Sequence, residues 1–423
     1  EDGFWRSIRN YTNENKLKNV ETTDLKKMIE MTTGQNLDWF FKQWLYEPGF
    51  PSYDVSWTYN QRKKELSIHV KQMQDLKTAS LFKMPIKILV DSGDKKEHII
   101  WVEDLCSVYK IKSEKRPKMV IFNSGQKVPS NLKMQKSVAD LKYQLKKASN
   151  SLDRIWAAQE LSKKKGRKVV EYTLLEAAKN DSFWAVRSEA YYALGRLKTN
   201  ITSEDIDWIK DKEKDNRVKR SFIKILKYQK NNLEVNKFLE DIIVSDTSYY
   251  SISEAIRTLV VVDTSKAKPL IDKLLNTESH NDVIRKSALS YFGQVQTTSN
   301  YIRLKELAKY GKFSFPSRPT IINELSKYQK KRPSTFDFIL TFFDDNDRFV
   351  RMAVIAQVGN YGSQSNHELL DVMVEKDPVL SINATRAKAK IKKRKNSKSK
   401  KLDSKTIEIL DKKLNAIKNI IND

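Results

Sequence analysis

The stretch Thr33-Gly34-Gln35-Asn36-Leu37-Asp38-Trp39-Phe40-Phe41-Lys42-Gln43-Trp44-Leu45, followed by Pro48-Gly49-Phe50-Pro51, decides how this chain is read. Just before it, Thr22-Thr23-Asp24-Leu25 offers short side-chain oxygens that accept the orphan N–H groups of a helix start. Leu25, Met28 and Ile29 share one face of that helix, and Gly34 suits the left-handed position that ends it. Asn36 and Asp38 then open a second helix, on which Phe40, Phe41, Trp44 and Leu45 form a wide apolar stripe. Pro48-Gly49-Phe50-Pro51 breaks it. On chemistry alone such a stripe is core packing rather than a ligand site.

Beyond the break the pattern changes to alternation. Tyr53, Val55 and Trp57 alternate with polar residues, Asn60-Gln61-Arg62-Lys63 makes a polar turn, and Leu66, Ile68 and Val70 alternate again, which is a hairpin. Met84 to Val90 meets the turn Asp91-Ser92-Gly93-Asp94, and His98 to Val102 returns. Val108 to Ile111 and Met119 to Phe122 add two further short strands. Six or seven strands with polar turns predict a small antiparallel β-sandwich over residues 52–130.

From about residue 137 the chain turns helical and carries a hidden period. Arg154, Arg187, Arg220, Ser253, Arg285, Arg318, Arg351 and Ala384 recur every 32 or 33 residues. Three residues after each stand Ala157, Ala190, Ile223, Ile256, Ala288, Ile321, Val354 and Ala387. Seven after stand Leu161, Leu194, Lys227, Val260, Phe292, Leu325, Val358 and Ile391, apolar in all but one case. A period of this length implies stacked helix pairs, since one pair cannot bury its apolar face alone. The motif Asp181-x-x-x-x-Val186-Arg187-x-x-Ala190-x-x-x-Leu194-Gly195, echoed at Asp282 to Gly293 and Asp347 to Arg351, resembles HEAT repeats. In such repeats an Asp/Arg ladder ties neighbouring units along the inner turn, and Asp181, Asp282 and Asp347 are the expected partners. A row of Arg facing a groove and holding phosphates or peptide carboxylates is the competing reading.

The order of the opening elements (amphipathic helix, Thr-Gly turn, Leu-x-x-Phe-Phe-x-x-Trp helix, Gly-x-Pro, then strands) resembles the end of the catalytic domain in the aminopeptidase N family of gluzincin-type zinc metallopeptidases. The resemblance covers residues 1 to about 125, and the repeats beyond fit the family in general type. It implies a zinc-binding helix with His-Glu-x-x-His upstream of residue 1, where two His one turn apart share a metal and the Glu activates its water. The family's catalytic Tyr is expected upstream as well, and Tyr11 stands in the wrong context to be it. In the family a β-sandwich links the catalytic domain to C-terminal helices that arch over it and limit substrates to short peptides.

The four histidines, His69, His98, His280 and His367, are isolated, none with a second His at helical spacing. Each reads as a surface or satisfied histidine rather than a ligand. The site expectation is therefore empty: no catalytic, cofactor-binding or metal-binding residue is assigned in this chain. Zinc is expected only in the full-length parent. Residue 1 is Glu, so upstream sequence is expected, and with it any signal peptide; the compartment is not readable.

The 423 residues predict two to four domains with ample apolar content for cores. No run is long enough to span a bilayer. The lone cysteine, Cys106, excludes an internal disulfide and reads as inert packing in a strand. The formal net charge of +26 is mostly diffuse Lys at solvent positions, which argues against a nucleic-acid partner. The exception is the run Lys388-Ala389-Lys390-Ile391-Lys392-Lys393-Arg394-Lys395-Asn396-Ser397-Lys398-Ser399-Lys400-Lys401, which has no acid and reads as a solvated connector. After it Ile407, Leu410, Leu414, Ile417 and Ile421 make a two-heptad apolar stripe, which caps the helical stack or meets a partner helix.

The sequence thus predicts a multidomain α+β chain. Residues 1–51 are the C-terminal helices of a peptidase catalytic domain, 52–130 a linking β-sandwich and 137–391 an α-α superhelix of about eight HEAT-like units. Residues 392–403 form a basic linker and 404–423 a terminal amphipathic helix. The expected function is the non-catalytic C-terminal part of a zinc-dependent aminopeptidase, inactive alone. Its expected partners are the upstream catalytic domain and, through the parent, peptide substrates. Two alternatives remain: a catalytically dead family member acting as a protein-binding scaffold, and a basic HEAT-like nucleic-acid binder.

Overall fold

The computed structural model describes residues 2–399 except 167 and 231, with backbone alone for 395–399. The expected helix at 404–423 lies outside the described residues. The chain divides into two compact units, residues 1–199 and 200–423.

The first unit opens with helices α1 (Asp2–Glu14) and α2 (Thr22–Thr33), which pack together. The Asp24 carboxylate accepts the Glu21 N–H at 2.9 Å, and Gly34, at φ 70°, returns its N–H to the Glu30 carbonyl. Asn36 accepts the Asp38 N–H at 3.0 Å and so starts the short helix α3 (Asp38–Phe41). There the expected regular stripe fails. Residues Lys42–Tyr46 continue as a π turn, closed by the Glu47 N–H on the Lys42 carbonyl, five residues back. The wider turn re-aims the side chains: Phe41 and Gln43 are buried, while Leu45 is 57% exposed and Tyr46 67%.

Seven strands follow: β1 (Ser52–Asn60), β2 (Glu65–Gln72), β3 (Met84–Asp91), β4 (Lys95–Val102), β5 (Cys106–Lys112), β6 (Met119–Phe122) and β7 (Asn131–Met134). They make a four-stranded sheet in the order β5-β2-β1-β7 and a three-stranded sheet in the order β4-β3-β6. The hairpin register sets Val55 opposite Val70 and Trp57 opposite Ile68. One core joins the inward residues of both sheets, among them Tyr53, Val55, Leu66 and Ile68 from the first and Ile86, Ile88, Val102 and Phe122 from the second. The sandwich is not purely antiparallel, because β7 lies parallel to β1, with Ser52 opposite Asn131 and Val55 opposite Met134. It extends past residue 130 for the same reason. Cys106 begins β5 and is exposed, so it is not packing.

The same unit holds helices α4 (Val138–Lys147), α5 (Ser151–Leu161), α6 (Lys168–Asn180) and α7 (Trp184–Leu197). Ser137 caps α4, its Oγ accepting the Asp140 N–H at 3.1 Å. Helix α5 seats on the sandwich: Trp156 packs against its core, and Asp153 accepts Ser124 Oγ at 2.8 Å and the Gly125 N–H at 2.9 Å. Those contacts place the first helices in one compact unit with the strands.

The second unit contains α8 (Ser203–Asp211), α9 (Asn216–Ile225), α10 (Leu233–Ser245), α11 (Tyr249–Val262), α12 (Thr264–Ala267), α13 (Ile271–Asn276) and α14 (Val283–Gln294). It continues with α15 (Thr298–Ala308), α16 (Arg318–Ser326), α17 (Ser334–Leu340), α18 (Arg348–Tyr361), α19 (His367–Lys376) and α20 (Ser381–Ser399). Helices α9, α11, α14, α16, α18 and α20 pack one against the next. Every residue of the first apolar register, from Ala157 to Ala387, is buried, as is every residue of the second except Lys227. Gly359 allows α18 to approach α20 closely, since a Cβ there would stand 3.0 Å from the Ala387 Cα. The basic run read as a connector continues α20 through Ser399. It is anchored, because Lys388 pairs with Asp371 and Arg394 donates to the carbonyls of Asn360 and Gly362.

Candidate interaction surfaces and charged sites

The histidines stand on separate elements. His69 lies on β2 opposite Ser56, His98 on β4 opposite Ile88, His280 in a turn against the Asn281 amide, and His367 at the head of α19. Among the described residues no group of three His, Cys, Asp or Glu side chains is arranged to hold a metal ion.

The periodic arginines form rungs. Arg154 grips Asp181 through Nε and Nη2 at 2.7 and 2.9 Å. Arg318, only 2% exposed, grips Asp345 through Nη1 and Nη2 at 2.9 and 2.6 Å and also donates to the Ala308 carbonyl. Arg351 reaches Asp377 at 2.6 Å, and Arg285 reaches Asp282 at 3.0 Å. The Arg154 and Arg318 pairs are bidentate and join one helix to the end of another, the Arg351 contact does so through one bond, and the Arg285 pair closes the start of its own helix; all four arginines are engaged by carboxylates within the fold. The partner differs from expectation at one rung. Asp347 spends Oδ1 on the Phe349 N–H at the start of α18, and Asp345 takes its place opposite Arg318. Asp345 stands six residues before Arg351, as Asp181 stands six before Arg187, so the same spacing marked it and aligning the motif on Asp347 hid it; Asp377 falls one residue outside that spacing, seven before Ala384. Burial would raise the Asp345 carboxyl, but the Arg318 hydrogen bonds and the Asp347 N–H outweigh it and hold the group below the usual carboxylate range.

The opening helices present an apolar surface. Trp39 meets Trp101 edge-on at 5.6 Å and Trp44 packs on Phe82 at 5.6 Å, while Gln43 exchanges two hydrogen bonds with the Lys83 backbone. These contacts fasten the segment to the sandwich. Phe4, Trp5, Met31, Leu45 and Tyr46 remain exposed, Met31 by 70%.

A charged group also lies where none was expected. Lys136 follows β7 at the inward parity of Leu132 and Met134, which is the one signal in the sequence that pointed to it. It is only 8% exposed, and its Nζ donates to the Val120 carbonyl at 2.6 Å and to Gln144 Oε1 at 2.5 Å. Burial pushes this amine down to about 7.

No protein-family model matches the chain, and no curated protein matches it. Among solved structures it is similar to the crystal structure of Legionella pneumophila aminopeptidase A in complex with aspartic acid, with a TM-score of 0.60 and 15% sequence identity. The match covers 91% of this chain and 50% of that one, so the chain spans half the length of its neighbour. At this identity the likeness is one of fold.

Proposed function

We propose that this chain is the non-catalytic C-terminal part of a zinc-dependent aminopeptidase of the aminopeptidase N type. Its sandwich acts as a spacer, and its HEAT-like helical repeats form an arch that controls substrate access. The observation that carries this reading is the likeness of nearly the whole chain to half of an aminopeptidase. The exposed Phe4, Trp5, Met31, Leu45 and Tyr46 support it, since an upstream catalytic body would cover them. The nucleic-acid alternative loses ground, because Lys388 and Arg394 of the basic run are engaged within the fold.

The full-length polypeptide should release amino-terminal residues from aminoacyl chromogenic substrates, and a chelator should abolish that release. A full-length protein that binds peptides but releases nothing overturns the proposal in favour of a catalytically dead scaffold.

A further inference from the structure

Lys136 is built into a cleft of about 490 Å³ in the first unit, between the sandwich and helices α4 and α5. Its surroundings are organised rather than incidental. Gln144 donates its Nε2 to the Asp153 carbonyl at 2.8 Å, which turns its Oε1 toward Lys136. The Trp156 ring lies 5.3 Å from the same Nζ. Two N–H bonds of the ammonium are accepted by Val120 and Gln144, and among the described residues no acceptor is found for the third.

The charges nearby do not complete it. Asp140 on α4 and Asp153 on α5 act on it only at a distance, and the Asp153 carboxylate is already engaged by Ser124 and Gly125. Glu160 on the cleft wall pairs with Lys163 at 2.5 Å, and Lys87 on β3 acts on Asp153. A buried cation without a paired anion is costly, and a ligand that brings the anion relieves that cost. The rest of the wall is mixed, with Val128, Leu132 and Trp156 supplying apolar surface among polar residues such as Gln126, Asn131 and Gln159.

We propose that this cleft binds a small organic carboxylate with an apolar tail. One carboxylate oxygen accepts the third N–H of Lys136, and the tail lies along Val128, Leu132 and Trp156. Because the anion favours the ammonium form, binding takes up a proton above pH 7 and weakens as pH rises, by about tenfold per unit while the free amine is neutral and the bound one charged.

The test is calorimetric titration of the chain with hexanoate, hexan-1-ol and hexylamine at pH 6 and pH 8.5, in buffers of differing ionisation enthalpy. Hexanoate should bind more than tenfold more tightly at pH 6, with proton uptake at pH 8.5, and the alcohol and amine should bind far more weakly. Lys136→Met should abolish hexanoate binding, and Lys136→Gln, which keeps a donor toward Val120, should do the same. Thermal unfolding checks that either variant is folded. Absence of binding at millimolar hexanoate, equal binding of hexan-1-ol, or binding that survives in a folded Lys136 variant overturns the proposal.

Discussion

Arg318 shows how much one side chain holds. Removing it leaves Asp345 charged and buried, so Arg318→Ala should cost about 3–5 kcal/mol of stability in urea unfolding. The surface pair Lys210 and Asp241, 3.5 Å apart, gives the contrast: Lys210→Ala should change stability by no more than about 0.5 kcal/mol. Two groups predict how stability follows pH. Asp345 sits below its unfolded value, so its contribution is complete above the ordinary carboxylate range and lost as pH falls through its folded value. Lys136 sits near 7 against 10.5 unfolded, so the unfolded chain binds the extra proton between those values. Stability should therefore rise with pH across that window, and Lys136→Met should flatten the slope in urea midpoints measured from pH 7 to pH 10. The arginines were legible because their spacing repeats. Asp345 shares with Asp181 the offset of six residues from the periodic Arg and was legible on that ground, whereas Asp377, seven before Ala384, was not.

At the scale of elements, the apolar registers set by Ala157 and Leu161 were legible because apolar residues recur there at a fixed spacing, and the fold buries both registers except at Lys227. Ile321, fully buried in α16, tests that reading: Ile321→Ala should cost about 2–5 kcal/mol. Where α18 meets α20 at Gly359, a large side chain must push the helices apart, and Gly359→Leu should cost about 1–3 kcal/mol or more in the same assay. Two elements escaped the sequence for physical reasons. The π turn at Lys42–Tyr46 inserts one residue into the hydrogen-bond ladder, and an apolar stripe counted at helical spacing does not register it. Strand β7 has four residues and one clearly inward side chain, so its parallel pairing with β1 arises from the tertiary fold rather than from alternation.

At the scale of the whole molecule, the order of helices, sandwich and helical region was legible from changes in period, and the described elements follow it. The boundary between compact units was not. Trp156 and Asp153 attach α5 to the sandwich, and α7 packs on α5 and α6, so these helices belong with the strands in the unit that ends at residue 199; the α5 contacts have no periodic signature. The exposed Trp5 and Leu45 carry a prediction at this scale. In the chain alone Trp5→Ser should leave the unfolding midpoint within error, whereas in the full-length polypeptide it should lower it measurably; equal effects would speak against a covering body. The most direct measurement is hydrolysis of aminoacyl substrates by this chain alone, purified and supplied with zinc. No release of amino acid is expected at any zinc concentration, and zinc-dependent turnover by residues 1–423 would contradict a non-catalytic role for this chain.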